Sequence, residues 1–396
     1  MSQPPFAAPR RALTGQAQIA PEEGLRVAHL DADAFYVAIE LLRHPELRGR
    51  PVVVAGSGPR AVVTTASYEA RRHGVGSAMP AARARRLCPD AVFLPPDFAT
   101  YRETSAKLMT IVRSHVERVD VVGLDEAYLD VHGLLSPRAA MRRLVLEIER
   151  SLQLTCSVGI GPNKLVAKVA SDAEKPAGFV VLTRSQAASR FALSPPGIVP
   201  GIGPKTSARL SRLGLNTLGD LANALPQVLA AHFGPNHGRD LVRRARFEHD
   251  GEIGQPHKVA SESRERTFDE DLSDPAHMRG ALARMSAELC ESLARRGRSG
   301  RTIGIKVRLD DFTTVTRART LREPTCDVQL VTQVALRLLD EYAPSRPVRL
   351  LGVRVAGLGA KTLTTTGTHA GVGAAPDAWA PARGASAARG QLGLPV

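Results

Sequence analysis

Apolar positions set the rhythm of the chain. Arg26 to Ala32 is a short, largely apolar run, the pattern of a strand buried on both faces, and Ala34 to Leu42 follows with helical character. Val52, Val53 and Val54 predict a second strand, and Ala61 to Thr65 a third. Met141, Leu144, Val145, Ile148 and Leu152 recur at helical spacing, so this segment lays one face on a sheet. The β-branched stretch Thr155 to Ile160 predicts the next strand, and from Pro195 to Leu221 the pattern changes to short helices. After Gly251 a basic stretch of mixed helix and strand continues to about Gly357. Within it, Thr302-Ile303-Gly304-Ile305-Lys306-Val307-Arg308-Leu309 has apolar odd positions with Lys306 and Arg308 on the other side, a half-buried strand with a cationic outer face. Residues 1–24, rich in Pro, Ala and Gln, read as a mobile arm; residues 359–396, dominated by Ala, Gly, Thr and Pro, read as a flexible tail. No solenoid-type repeat interrupts this order.

The 396 residues leave room for two to four domains. A hydrophobic share of 43% and a charged share of 23% is a soluble globular composition. The net charge of +14 favours a polyanionic partner, although an anionic membrane surface or a ribosome would suit the same balance. No apolar run approaches the roughly 20 residues of a bilayer span, and the N-terminus lacks the basic-then-apolar order of a signal peptide. Cys88, Cys156, Cys290 and Cys326 form no CxxC pair, so neither a zinc site nor a disulfide framework is expected, and a reducing cytoplasm fits.

Two segments place carboxylates inside apolar runs: Leu30-Asp31-Ala32-Asp33-Ala34-Phe35-Tyr36 and Gly123-Leu124-Asp125-Glu126-Ala127-Tyr128-Leu129-Asp130. A buried lone carboxylate is costly unless paired or bound to metal. Strand alternation puts Asp31 and Asp33 on one face, whereas Asp125 and Glu126, being neighbours, converge only from a bend or hairpin end. Were Asp31, Asp125 and Glu126 to meet, each pair at ~4 Å would repel by about 4 kcal/mol at an effective dielectric near 20. A divalent cation turns that repulsion into binding, and oxygen-only ligands favour Mg²⁺. Either segment alone reads equally well as ordinary strand-end or surface acids.

Together the segments resemble the two catalytic motifs of the Y family of DNA polymerases. The resemblance implies that Asp31, Asp125 and Glu126 hold two Mg²⁺ ions, with the backbone carbonyl of Ala32 as a further ligand. Where the family pattern has Ser before Leu-Asp-Glu, this chain has Gly123; that position is no ligand, and a small effect is expected. The resemblance makes Tyr36 the steric gate against a ribose 2′-hydroxyl and sets Phe35 beside it in the nucleotide site, although a core role is the default for Phe35. Tyr68-Glu69-Ala70-Arg71 resembles the finger segment in which Tyr68 and Arg71 hold the incoming triphosphate, suitable chemistry for a hydroxyl and a guanidinium fork. Ser157 to Lys164, followed by Lys168 and Glu174-Lys175-Pro176-Ala177-Gly178, resembles the segment whose Lys-Pro lysine, here Lys175, neutralises the triphosphate. It lacks P-loop spacing and does not point to an ATPase.

Val199-Pro200-Gly201-Ile202-Gly203-Pro204-Lys205-Thr206 resembles a helix-hairpin-helix, in which Gly201, Gly203 and Lys205 would approach phosphate beside a positive helix N-terminus. The basic stretch resembles the family's little-finger domain, with Lys306 and Arg308 as a phosphate track; a merely solvated face is the plainer alternative. Gln391-Leu392-Gly393-Leu394 resembles the bacterial sliding-clamp peptide, in which Gln391, Leu392 and Leu394 fill an apolar groove.

The resemblance implies an α/β and α+β multidomain right hand: a ferredoxin-like palm (25–33 and 98–188), small fingers (34–97), a helix-hairpin-helix thumb (189–253) and an α+β little finger (257–358). Its expected partners are primer-template DNA, dNTPs and a sliding clamp, with a monomeric chain, no membrane contact and translesion synthesis as the role. A non-catalytic DNA-binding homologue would keep the basic surface and lose the acids; another palm-type nucleotidyl enzyme would have no use for the hairpin or the clamp peptide.

Overall fold

A computed structural model describes residues 24–255 and 259–360. The expected N-terminal arm, most of the tail and the clamp peptide with Gln391, Leu392 and Leu394 lie outside the described residues.

β1 (Val27–Ala32) is buried along its whole length, as its largely apolar run suggests, with His29 and Asp31 buried among the apolar residues. A left-handed Ala34 (φ 46°) turns the chain into α1 (Phe35–Arg43). β2 (Val52–Ala55), β3 (Val63–Ala66) and β4 (Val92–Leu94) form a small sheet in the order β3-β2-β4, which carries α2 (Tyr68–Arg72) and α3 (Ala81–Leu87). β3 begins two residues later than the sequence suggested, because the Ala61 amide closes a turn onto the Gly58 carbonyl (3.0 Å).

α4 (Phe98–His115), β5 (Val119–Val121), β6 (Glu126–Asp130), α5 (Pro137–Leu152), β7 (Cys156–Gly161), α6 (Lys164–Asp172) and β8 (Phe179–Val181) rejoin β1 in a five-stranded sheet of order β5-β6-β1-β7-β8. β1 is central and antiparallel to both neighbours. Alternation divides its side chains: Ala28, Leu30 and Ala32 enter the core with Tyr101 and Leu108 of α4 and Met141, Leu144 and Ile148 of α5. Val27, His29 and Asp31 turn to the opposite face, where α6 lies.

α7 (Arg184–Arg190), α8 (Pro204–Ser211), α9 (Leu218–Asn223), α10 (Pro226–Phe233) and α11 (Pro235–Ala245) pack around Leu210, Leu221, Leu229 and Leu241, in a core continuous with Leu165, Val166 and Val169 of α6. β9 (Ser261–Leu272), α12 (Pro275–Arg295), β10 (Arg298–Leu309), β11 (Thr314–Thr325), α13 (Val328–Tyr342) and β12 (Val348–Ala360) build an antiparallel sheet of order β11-β10-β12-β9. Both helices cover the face to which β10 contributes Ile303, Ile305, Val307 and Leu309, as the alternation predicted.

Polar contacts tie these bodies together. Arg60, between β2 and β3, donates to the Phe268 carbonyl (2.9 Å) and pairs with Asp271 of β9 (2.7 Å). Lys164 bridges Asp120 (2.6 Å) and the Glu252 carbonyl (2.8 Å), while the Gly254 amide donates to Asp120 (2.7 Å). Among the described residues no helix is long and apolar enough to cross a membrane.

Candidate active site

The β1–β6 register sets Asp31 opposite Glu126 and His29 opposite Tyr128. Residues paired across strands share a face, so one patch of sheet carries all four side chains. Asp125 sits just before β6, and its carbonyl accepts from the Ala32 amide (2.8 Å), which fixes it to the end of β1. Gly123 leaves it space: a Cβ there would stand 3.2 Å from Asp125 Oδ1. The bend expected for neighbouring acids is thus present, and the two segments meet.

α6 closes this patch. It comes close because β7 offers a bare backbone: a Cβ on Gly159 would lie 2.1 Å from the Ala167 carbonyl oxygen and 2.2 Å from the Ser171 amide nitrogen. The Asn163 side chain caps the helix, accepting from the Val166 amide (3.0 Å). Lys168 then reaches Asp31 (3.0 Å) and Glu126 (3.1 Å), and Ser171 meets His29 (2.8 Å). Lys175, beyond the helix, reaches Asp31 (2.7 Å) and Asp172 (2.9 Å).

The electrostatics are those of a crowded anionic centre. Burial, then the charges of Asp31 and Glu126, push the Asp125 carboxyl up to about 6. Glu126 is drawn down to about 2, first by the His29 side chain and then, against the cost of burial, by Lys168. Burial opposes the charge on Lys168, but Asp31, Glu126 and Asp172 hold its ammonium above the usual value. Lys175 is raised in the same way, burial opposing and Asp31 prevailing. Burial lowers the His29 imidazole, against the raising influence of Glu126.

Asp33 makes a different set of contacts. It accepts from Ser157 Oγ (2.8 Å), the Ala177 amide (2.8 Å) and Tyr68 Oη (3.3 Å), joining α2 to the loop after Lys175. Arg71 lies over the Tyr68 ring at 4.6 Å and donates to the Ala66 carbonyl (2.9 Å). Tyr36 is half-buried and stacks on Tyr101 at 4.5 Å; Phe35, 1% exposed, is enclosed in the core. Gly201 has φ +88° and packs under Arg244, which donates to the Pro200 carbonyl (2.8 Å). Gly203 caps α8, and Lys205 is exposed in its first turn. On the outer sheet, Lys306 pairs with Glu265 (2.7 Å) and Arg308 donates to Thr314 Oγ1 (2.9 Å), so both cations already have protein partners. Sequence reasoning passed over His29 and Ser171 and gave Lys168 no partner. The available signals were the His-x-Asp alternation on β1 and the spacing of Lys164, Lys168 and Ser171 along one helix face.

Comparison with known proteins agrees with this geometry. The DNA polymerase IV of Methanoculleus marisnigri is 41% identical over 337 residues, 83% of this chain and 93% of its own length. That of Alkalilimnicola ehrlichii is 41% identical over 345 residues, 84% and 95% of the two chains. A solved Y-family DNA polymerase chimera matches with a TM-score of 0.73 and 25% identity, over 84% of this chain and 98% of its own. The chain belongs to the Y family of DNA polymerases.

Family models fall on this Y-family chain in order. The impB/mucB/samB family matches residues 30–172, the thumb domain described for DNA polymerase-iota matches 198–246, and the impB/mucB/samB C-terminal domain matches 259–367. α8 to α11 lie within the stretch matched by the thumb-domain model, and the fold as a whole is that of a Y-family polymerase. Y-family polymerases are metal-dependent, and the donor set here fits a hard cation. His29, Asp31 and Glu126 bring ligand atoms within 4.8 Å of one another, the Asp125 carboxyl beside them is held up to about 6 by burial and then by its neighbours' charge, and two ammonium groups lie against Asp31.

Proposed function

We propose that this Y-family chain adds deoxynucleotides to a primer 3′-hydroxyl under the direction of a DNA template, in low-fidelity translesion synthesis, with Asp31, Asp125 and Glu126 as its catalytic carboxylates. The assignment is supported by Asp31 and Glu126 facing each other across β1 and β6, with Asp125 fixed to the end of β1 and its carboxyl raised in part by both their charges. Asp31, Asp125, Glu126 and the Ala32 carbonyl would hold two Mg²⁺ ions, which would supply the Lewis acidity that lowers the pKa of the 3′-hydroxyl and offsets charge on the transferring phosphoryl group.

The chain's own residues do the rest. Lys175 and Lys168 pair with Asp31. Lys175 neutralises the triphosphate. Tyr68 and Arg71 bind the same triphosphate, by a hydroxyl and a guanidinium fork. Tyr36, held on Tyr101, excludes a ribose 2′-hydroxyl, and Phe35 supports it from the core. Asp33 fixes Tyr68 and the Ala177 amide with respect to β1. In the thumb, the hairpin around Gly201, Gly203 and Lys205 grips duplex phosphate, and Lys306 and Arg308 track the backbone from the little finger.

The domain limits proposed are palm 25–33 and 98–188, fingers 34–97, thumb 189–253 and little finger 257–358. The chain works as a cytoplasmic monomer at the nucleoid, recruited to a sliding clamp by Gln391, Leu392 and Leu394. A non-catalytic DNA-binding role is disfavoured because all three acids are present and share one site.

Primer extension with Mg²⁺ and dNTPs tests the assignment. Asp125→Ala loses extension by about 10²-fold or more while still binding primer-template DNA. Equal extension by both proteins refutes the carboxylate roles; no extension by either refutes the polymerase.

A further inference from the structure

His29 is fully buried at the centre of the palm sheet, where a Phe or Leu would fill the same space without the cost of enclosing two polar nitrogens. The groups facing it are all at hand. Tyr128 meets the ring edge-on at 4.7 Å, Ser171 Oγ lies 2.8 Å from Nδ1, and Glu126 Oε2 lies 3.3 Å from Nε2. Nε2 has no aligned hydrogen-bond partner among the described residues, so Glu126 is the acceptor it faces.

A lone pair turned toward the Glu126 carboxylate would be repelled, whereas an N–H is attracted, so Nε2 presents an N–H to Glu126. The Ser171 hydroxyl donates to the Lys168 carbonyl (2.8 Å), and its oxygen stands 2.8 Å from Nδ1, which fixes the ring from the other side. The carboxylate is held asymmetrically. Oε2 faces His29 and Lys168, while Oε1 lies on the side of Gly123, within 4.0 Å of where its Cβ would stand, and Asp125 Oδ1 shares that side.

We propose that His29 is a positioning residue of the polymerase reaction: oriented by Ser171, it holds Glu126 Oε2 so that Oε1 faces the cation centre shared with Asp125. This rests on the reading of Glu126 as a cation ligand. Gly159 belongs to the device, since only its missing side chain lets α6 bring Ser171 down onto the ring.

Mn²⁺ binding to the full-length chain, followed by the electron paramagnetic resonance signal of the free ion, reads the ligand set without turnover. His29→Phe, shown to be folded by circular dichroism, binds Mn²⁺ about 10-fold more weakly, the low end for a group that orients a metal ligand. His29→Gln, whose amide can donate near the position of Nε2, recovers most of that loss. Because His29 acts through Glu126, His29→Phe adds nothing to the loss caused by Glu126→Gln, whereas a merely structural histidine gives multiplying losses. Ser171→Ala, which leaves the ring in place, gives a smaller loss in the same direction and keeps the test decisive should His29→Phe fail to fold. Tight Mn²⁺ binding by folded His29→Phe, unaltered binding by Ser171→Ala when the Phe variant is unfolded, or multiplying losses in the double variant overturns the proposal alone. Full-strength binding by Glu126→Gln overturns the reading of Glu126 as a ligand, and this proposal with it.

Discussion

Replacing Asp125 by Asn removes a charge that the metal-free fold holds at a disadvantage, so the variant is predicted to be inactive and more stable. Burial and the neighbouring charges of Asp31 and Glu126 raise the carboxyl from 3.8 to about 6. That shift of about 2 units corresponds to about 3 kcal/mol, and solvent screening at a partly exposed group brings it to about 2 kcal/mol. A transition of residues 25–253, taken as one unit of 150–250 residues, should rise by about 4–8 °C. The measurement is calorimetry in EDTA at pH 7.5, wild type beside Asp125→Asn. The pH dependence has a definite sign. The folded carboxyl has the higher pKa, so the penalty is complete above about 6 and fades as pH falls through 6 toward the unfolded value of 3.8. The gap between the proteins therefore narrows at pH 5. Divalent cation reverses the order at pH 7.5, since it stabilises the wild type through ligands the variant has lost. A variant melting at or below the wild type in EDTA at pH 7.5 would refute the picture of a strained, cation-seeking cluster.

Other expected outcomes bear on different parts of the molecule. Gly159→Ala forces a methyl group to within 2.1 Å of the Ala167 carbonyl oxygen, so it should cost about 3 kcal/mol or more and lower both melting temperature and extension rate. Tyr36→Ala removes the ring stacked on Tyr101 and should admit ribonucleotides, seen as a fall in the ratio of kcat/KM for dNTP over rNTP; unchanged sugar discrimination sinks the gate. Deleting Gln391 to Val396 should spare distributive synthesis and abolish stimulation by the sliding clamp, and equal stimulation of both forms argues against a clamp peptide.

What could be read from the sequence depended on how local each determinant was. β1 was legible because a strand covered on both faces needs a largely apolar run, and β10 because a half-buried strand alternates. The carboxylates were legible because an acid inside an apolar run needs a reason to be there. Gly159 and His29 carried no such mark: a glycine in a strand reads as a weak point, and a lone histidine reads as filler. Their meaning lies in a partner, since Gly159 matters only once α6 crosses β7 and His29 only once Ser171 and Glu126 arrive from opposite sides. Lys168 shows the same limit, because its helix spacing was visible while its position between two carboxylates followed from that crossing. Phe35 and Tyr36 are adjacent in sequence yet unequal in the fold. The left-handed turn at Ala34 and the pitch of α1 send one ring into the core and leave the other half-exposed against Tyr101, near enough to feel the charge of Asp125. Local pattern names the acids of this site, and long-range packing decides what surrounds each one.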